Sequence, residues 1–215
     1  MSVTKVGLRY IEKWNTDLEK SVQAYEAENA EKGQIVFYGP SNFTRWSTKY
    51  KMTPLREVLL GKSGAQCCVN RGFGSSCAEH HLYYYPRMVK ALEPKVLVYA
   101  PGCGNGLGFG YTAEELFQLA ARVVLYAKED FPDLRIYLQG INLWRSQKES
   151  YVKTDAMLRE LAQEVPDCTY LDITAFEPLH RNDIYAADNV HYNQEGYQLY
   201  GQFYQQVLQK ELDLY

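Results

Sequence analysis

Four side chains in this 215-residue sequence have the types and settings for chemistry: Ser41, Asn105, Asp188 and His191. A serine hydroxyl attacks a carbonyl carbon only when a base takes its proton and donors wait for the oxyanion. Asp188 and His191 stand three apart in DNVHYNQEGY, just before the last helix-like segment. On a turn, that spacing lets the carboxylate accept a hydrogen bond from one imidazole nitrogen. The bond fixes the tautomer and leaves the other nitrogen to act as base. Ser41 follows a Gly-Pro corner in IVFYGPSNF, but position 43 is Phe, so no G-x-S-x-G elbow is present. Taken alone, Ser41 reads as a turn or N-cap residue. In NRGFGSS, Gly72, Gly74 and Ser75 can aim backbone amides into a cleft, and a plain strand-to-helix turn accounts for them equally well. Asn105, in PGCGNGLGFG, has an amide that can donate into a pocket; tolerance of left-handed backbone is the bland alternative.

Other chemistries find less support. The glycines at 102 and 104 are followed by Leu107, so G-x-G-x-x-G fails, and no G-K-[ST] phosphate loop occurs. Glu79, His80 and His81 are adjacent and lack the H-E-x-x-H spacing of a metal site; they read as part of a helix face. His180 reads as a loop residue without a paired acid. The five cysteines (67, 68, 77, 103 and 168) include no C-x-x-C pair, so free thiols in a reducing, cytoplasmic setting are expected. A net charge of −3 without a basic block excludes the electrostatic footprint of a nucleic-acid binder. The charged N-terminal stretch has no apolar run for a signal peptide or a membrane span.

These residues must be held by elements the hydrophobic pattern makes visible. Composition is that of a soluble globular protein, 46% hydrophobic and 23% charged. A helix is expected over 8–31, with Leu8, Ile11, Trp14, Leu18, Val22 and Tyr25 on one stripe and Gly33 as its stop. Buried strands are expected in QIVFYG, AQCCVNRGFGSS, PKVLVYA, LRIYLQGI and TYLDIT. Between them come a short helical stretch in PLREVLLG, helices over 78–92 and 149–164, and a closing helix in NQEGYQLYGQFYQQVLQKEL. The clearest helix begins at Thr112, which forms a capping box with Glu115. This β-α alternation argues one domain spanning 1–215: a parallel sheet covered on both faces, with ligands outside the carboxyl ends of its strands.

Four segments, in order, resemble the SGNH hydrolases, or GDSL esterases and lipases, over about residues 35–200. Gly39-Pro40-Ser41 stands for G-D-S, NRGFGS for N-x-G-x-G-G, Cys103-Gly104-Asn105-Gly106 for G-x-N-D, and Asp188 to His191 for D-x-x-H. The resemblance implies a flavodoxin-like three-layer α/β/α sandwich and ester hydrolysis through an acyl-serine, without cofactor or metal. It makes Ser41 the nucleophile, His191 the general base and acid, and Asp188 the residue orienting His191. The oxyanion donors it implies are the Ser41 N–H, the Ser75 N–H (with Gly74 as the alternative) and the Asn105 amide.

The departures are Pro40 for Asp, Ser75 for Gly, and Cys103 and Gly106 in the third block. Because serine reaches positive φ less freely than glycine, Gly74 is expected to absorb the change at 75. The expected substrate is a small-molecule ester with a short acyl group, such as an acetylated carbohydrate. Trp46, Trp144, Arg145 and tyrosines are expected to line its pocket. Acyl transfer on the same triad and a non-catalytic carbohydrate- or acyl-ligand-binding domain are the alternatives.

Overall fold

The computed structural model describes residues 11–215. Its elements in chain order are α1 (Ile11–Glu26), β1 (Ile35–Gly39), α2 (Ser41–Thr44), α3 (Leu55–Val58), β2 (Cys68–Gly72), α4 (Ala78–Met88) and β3 (Val96–Tyr99). There follow α5 (Cys103–Gly108), α6 (Ala113–Asp130), β4 (Arg135–Gln139), α7 (Glu149–Glu164), β5 (Cys168–Leu171), α8 (Gln194–Val207) and α9 (Gln209–Leu212). The strands form one parallel sheet in the order β2-β1-β3-β4-β5. The central strands are apolar on both faces, as a doubly covered sheet requires.

Alternation along the strands divides the core into two layers. Val36, Tyr38, Leu97, Tyr99, Ile136 and Leu138 pack with α1, α4, α6 and α7. Ile35, Phe37, Val96 and Val98 pack on the other side with α3, α8, α9, Phe43 and Trp46. The result is the three-layer α/β/α sandwich expected. Within the second layer Gln139 Oε1 accepts hydrogen bonds from the buried Tyr200 and Tyr204 phenols, which satisfies polar groups that apolar packing would strand.

Some boundaries differ from the sequence reading. Residues 8–10 of the expected first helix lie outside the described residues, and α1 ends at Glu26 rather than near 31. Buried Arg71 reaches its last turn, donating to Tyr25 O at 3.3 Å and pairing with Glu28 at 2.9 Å, while Asn29 turns the chain away at φ 47°. The glycine-rich PGCGNGLGFG contains α5, which no strand or helix pattern in the sequence announces. The Thr112–Glu115 capping box opens α6 as expected, with Thr112 Oγ1 accepting from Glu115 N at 3.2 Å. His80 and His81 lie on a face of α4, as expected, and that face is buried, which pushes both imidazoles below their usual range. All five cysteines are free, four buried and Cys168 partly so.

Candidate active site

Ser41 is the first residue of α2, immediately past the carboxyl end of β1. Pro40 fixes the corner, and its carbonyl accepts from Phe43 N at 3.0 Å, closing the turn that projects Ser41 from the sheet. The N–H of a first helical residue has no intrahelical acceptor, so the Ser41 amide is available to a ligand. Gly72 allows α2 to lie against β2, because a Cβ there would fall 2.4 Å from Phe43 Cβ and 2.6 Å from Thr44 N. Asn70 staples the two segments: its Nδ2 donates to Phe43 O at 2.7 Å and its Oδ1 accepts from Gly72 N at 2.9 Å.

The fold brings Ser41, His191 and Asp188 into one hydrogen-bonded line. Ser41 Oγ lies 2.8 Å from His191 Nε2, and His191 Nδ1 lies 2.8 Å from Asp188 Oδ2. With Nδ1–H donating to the carboxylate, Nε2 is left as the acceptor for the serine hydroxyl. Asp188 Oδ1 accepts from the backbone N–H groups of Val190 and His191, both at 3.0 Å. Those two bonds, with the imidazole, hold the Asp188 carboxyl well below the usual carboxylate range.

Two arginines brace this loop: Arg45, absent from the sequence reading, and Arg145, expected there in the pocket lining instead. Arg45, one residue beyond α2, donates to Asp188 Oδ2 at 2.9 Å and so ties the segment carrying Ser41 to the loop carrying Asp188. Arg145 donates to Asn189 O at 2.8 Å and to Asn189 Oδ1 at 2.9 Å, with its guanidinium 3.8 Å from the centre of the Tyr185 ring. Asn189 sits at φ 55°, and this bidentate grip holds that left-handed turn between Asp188 and Val190. No local spacing signals either contact, since the partners are 143 and 44 residues apart.

The segments expected to supply the oxyanion donors meet behind Ser41. Asn105 Nδ2 donates to Ser76 O at 2.8 Å, which orients the amide and leaves its second N–H free. Gly102, at φ 68°, permits the approach, for a Cβ there would lie 2.6 Å from Ser76 O. Ser76 Oγ in turn sits 2.8 Å from the ring of buried His81. The expectation that Gly74 absorbs the serine at 75 is corrected: Ser75 itself takes φ 60°, and Gly74 is not among the described positive-φ residues. At Gly106 a side chain would need Leu116 to move, because a Cβ would fall 2.2 Å from Leu116 Cδ2.

A cavity of about 210 Å³ opens beside Ser41. Asn105, Gln139 and Asn142 give it a polar side, and Ile141, Ile173 and Val190 an apolar one; Ser75 is not in its wall. The expected aromatic and cationic lining is corrected as well. Trp46 is buried against Tyr200, Trp144 stacks on His180 with rings 5.4 Å apart, and Arg145 is engaged by Asn189. Of the tyrosines, Tyr192 reaches this cavity. Among the described residues, no group of three histidines, cysteines or carboxylates is arranged to hold a metal.

Comparison with solved structures identifies the architecture. A GDSL-like lipase from Bacteroides thetaiotaomicron superposes with a TM-score of 0.64 at 17% identity, covering 95% of this chain and 98% of that one. AlinE4, an SGNH-hydrolase family esterase, gives 0.61 at 19% identity, over 85% of this chain and 98% of its own. The fold is that of the SGNH hydrolases. The psychrotrophic esterase EstA from Pseudoalteromonas sp., in a structure inhibited by monoethylphosphonate, superposes with a TM-score of 0.66 at 11% identity, covering 85% of this chain and 100% of that one. No protein-family model matches the chain, and no curated protein matches its sequence. The SGNH fold thus rests on backbone geometry, with the site chemistry argued from this chain's own residues. No described helix is long and apolar enough to cross a membrane.

Proposed function

We propose that the protein is a serine esterase that removes a small acyl group from a hydrophilic alcohol through an acyl-serine intermediate. The observation that carries this reading is the unbroken line Ser41–His191–Asp188, with both heavy-atom separations at 2.8 Å. His191 Nε2 takes the Ser41 proton as Oγ attacks the ester carbonyl. The negative charge that develops on the carbonyl oxygen faces the Ser41 N–H, the Ser75 N–H and the free N–H of Asn105. Collapse of the tetrahedral adduct breaks the ester C–O bond, and His191 returns the proton to the departing alkoxide. Water then attacks the acyl-serine with His191 again as base, which releases the acid and restores the hydroxyl. Asp188 keeps Nδ1 protonated and supports the transient imidazolium.

The cavity of about 210 Å³ suits an acetyl-sized group, and the amides of Gln139 and Asn142 in its wall suit a hydroxyl-rich alcohol such as a carbohydrate. The naming of several neighbours of the same fold as esterases, lipases or acylhydrolases agrees with this chemistry. The test is steady-state hydrolysis of p-nitrophenyl acetate and of acetylated sugars by wild type and Ser41→Ala. Loss of about 10³-fold or more in kcat is expected. Retention of wild-type turnover by folded Ser41→Ala overturns the mechanism.

A further inference from the structure

A second cavity, of about 500 Å³, lies between the second half of α1, the outer edge of β2 and the segment that follows α2. It has more than twice the volume of the cavity at Ser41 and shares no wall residue with it. Its size falls within the range of small-molecule sites. Tyr25, Trp46 and Tyr50 contribute aromatic wall. Lys49 and Arg56 contribute cations, and among the described residues neither has a carboxylate partner. Of the two carboxylates in the wall, Glu28 is neutralised by Arg71 at 2.9 Å, so Glu31 alone opposes the two cations. Two polar atoms of wall residues, Gln34 Oε1 and Thr44 Oγ1, are buried without a hydrogen-bond partner. An occupant that hydrogen-bonds either group recovers the cost of its isolation.

From this lining we infer a second ligand site, separate from the Ser41 cavity, for a small aromatic anion: a ring against the tyrosines and a phosphate or similar group on Lys49 and Arg56. Aromatic walls favour a planar ring, and unpaired cations at the edge of a concave, partly dehydrated surface favour an anion. The site is mechanically close to the nucleophile's segment. Thr44 is the last residue of α2, and Asn70, also in the wall, makes the hydrogen bonds that join α2 to β2. Tyr50 lies beneath the Arg45 guanidinium, 5.3 Å from ring centre to carbon, and Arg45 is the residue that grips Asp188. An occupant therefore rests against Asn70 and against the Tyr50 ring that carries Arg45, although its binding does not depend on the Ser41–His191–Asp188 line being catalytic.

Phenyl phosphate is the probe, titrated into the intact protein by calorimetry or ligand-observed NMR, with inorganic phosphate and phenol as the two half-ligands. Saturable one-to-one binding is expected at or below about 1 mM, at least tenfold tighter than either half-ligand. Lys49→Glu with Arg56→Glu should weaken it at least tenfold, and Ala24→Trp, at an exposed wall position, should abolish it by filling the space. Ser41→Ala should bind as wild type does, so a failure of the esterase reading leaves this result untouched. Circular dichroism confirms that each variant is folded. No binding by wild type at about 5 mM, affinity indifferent to the charge reversals and to Ala24→Trp, or loss of binding when a phosphonate occupies Ser41 would each overturn the inference.

Discussion

Arg45→Gln is the perturbation that most directly asks whether the line of residues at Ser41 works as an electrostatic unit. Arg45 Nη1 stands 2.9 Å from Asp188 Oδ2, the oxygen that also receives His191 Nδ1 at 2.8 Å. The guanidinium is thus at most about 6 Å from the imidazole, and both members of the ion pair are about one-third exposed. Two unit charges at that distance interact by about 0.7–1.4 kcal/mol for an effective dielectric constant of about 40–80, which suits a half-solvated pair. Removing the positive charge favours the protonated base by that amount. The acid limb of kcat/KM against pH, which reports the base of the free enzyme, should move to higher pH by about half to one unit. The plateau should fall by no more than about tenfold, because the backbone N–H groups of Val190 and His191 still hold Asp188. Thermal stability should change little, since an exposed ion pair contributes under about 1 kcal/mol. Arg45→Lys keeps the charge that the single contact with Asp188 supplies, so its limb should stay in place. The assay is p-nitrophenyl acetate hydrolysis over a pH series with matched ionic strength. An acid limb that stays put or moves to lower pH in Arg45→Gln refutes the reasoning.

Two further predictions concern the scaffold. Ser75 pays about 1–2 kcal/mol for its left-handed backbone at φ 60°, while glycine loses about 0.4–1 kcal/mol more on folding. Ser75→Gly should therefore gain up to about 1 kcal/mol, seen as a rise of about 2–4 °C in Tm, with hydrolysis within about threefold of wild type because the backbone N–H remains; a fall in Tm contradicts this. His80 is pushed down to about 4 by burial, whereas an unfolded histidine titrates near about 6.5. The unfolded chain then binds the extra proton as pH falls from about 6.5 to about 4, so stability declines across that window by about 3 kcal/mol from this residue. Urea denaturation at pH 7 and pH 4.5 measures it, and His80→Asn should flatten the slope; a wild-type stability constant over that range contradicts the assignment.

Where periodicity carried the information, the sequence was legible. The continuous apolar runs of β1 and β3 predict strands buried on both faces, and the stripe and capping box of α6 predict its span and start. The four short motifs predict which loops converge, because each follows a strand whose carboxyl end lies on the same side of a parallel sheet. Features set by long-range contacts were not legible. Glycine content argues against α5, yet its packing against Leu116 and the anchoring of Asn105 on Ser76 O stabilise a helical turn there. The polar run does not show that the helix face carrying His80 and His81 is buried, where Cys77 N and Ser76 Oγ meet one ring nitrogen of each. The roles of Arg45 and Arg145 emerge only when distant loops meet, and Trp46 is drawn into the core by Tyr197, Tyr200 and Tyr204.

The central claim is that Ser41 becomes a nucleophile because His191 and Asp188 activate it. Treatment with a fluorophosphonate, followed by peptide mass spectrometry, tests this most directly. A single adduct on Ser41 is expected in wild type, little labelling in folded His191→Ala, and none in Ser41→Ala. Wild-type protein that is folded and stays unlabelled, or that carries its adduct on another residue, would contradict it.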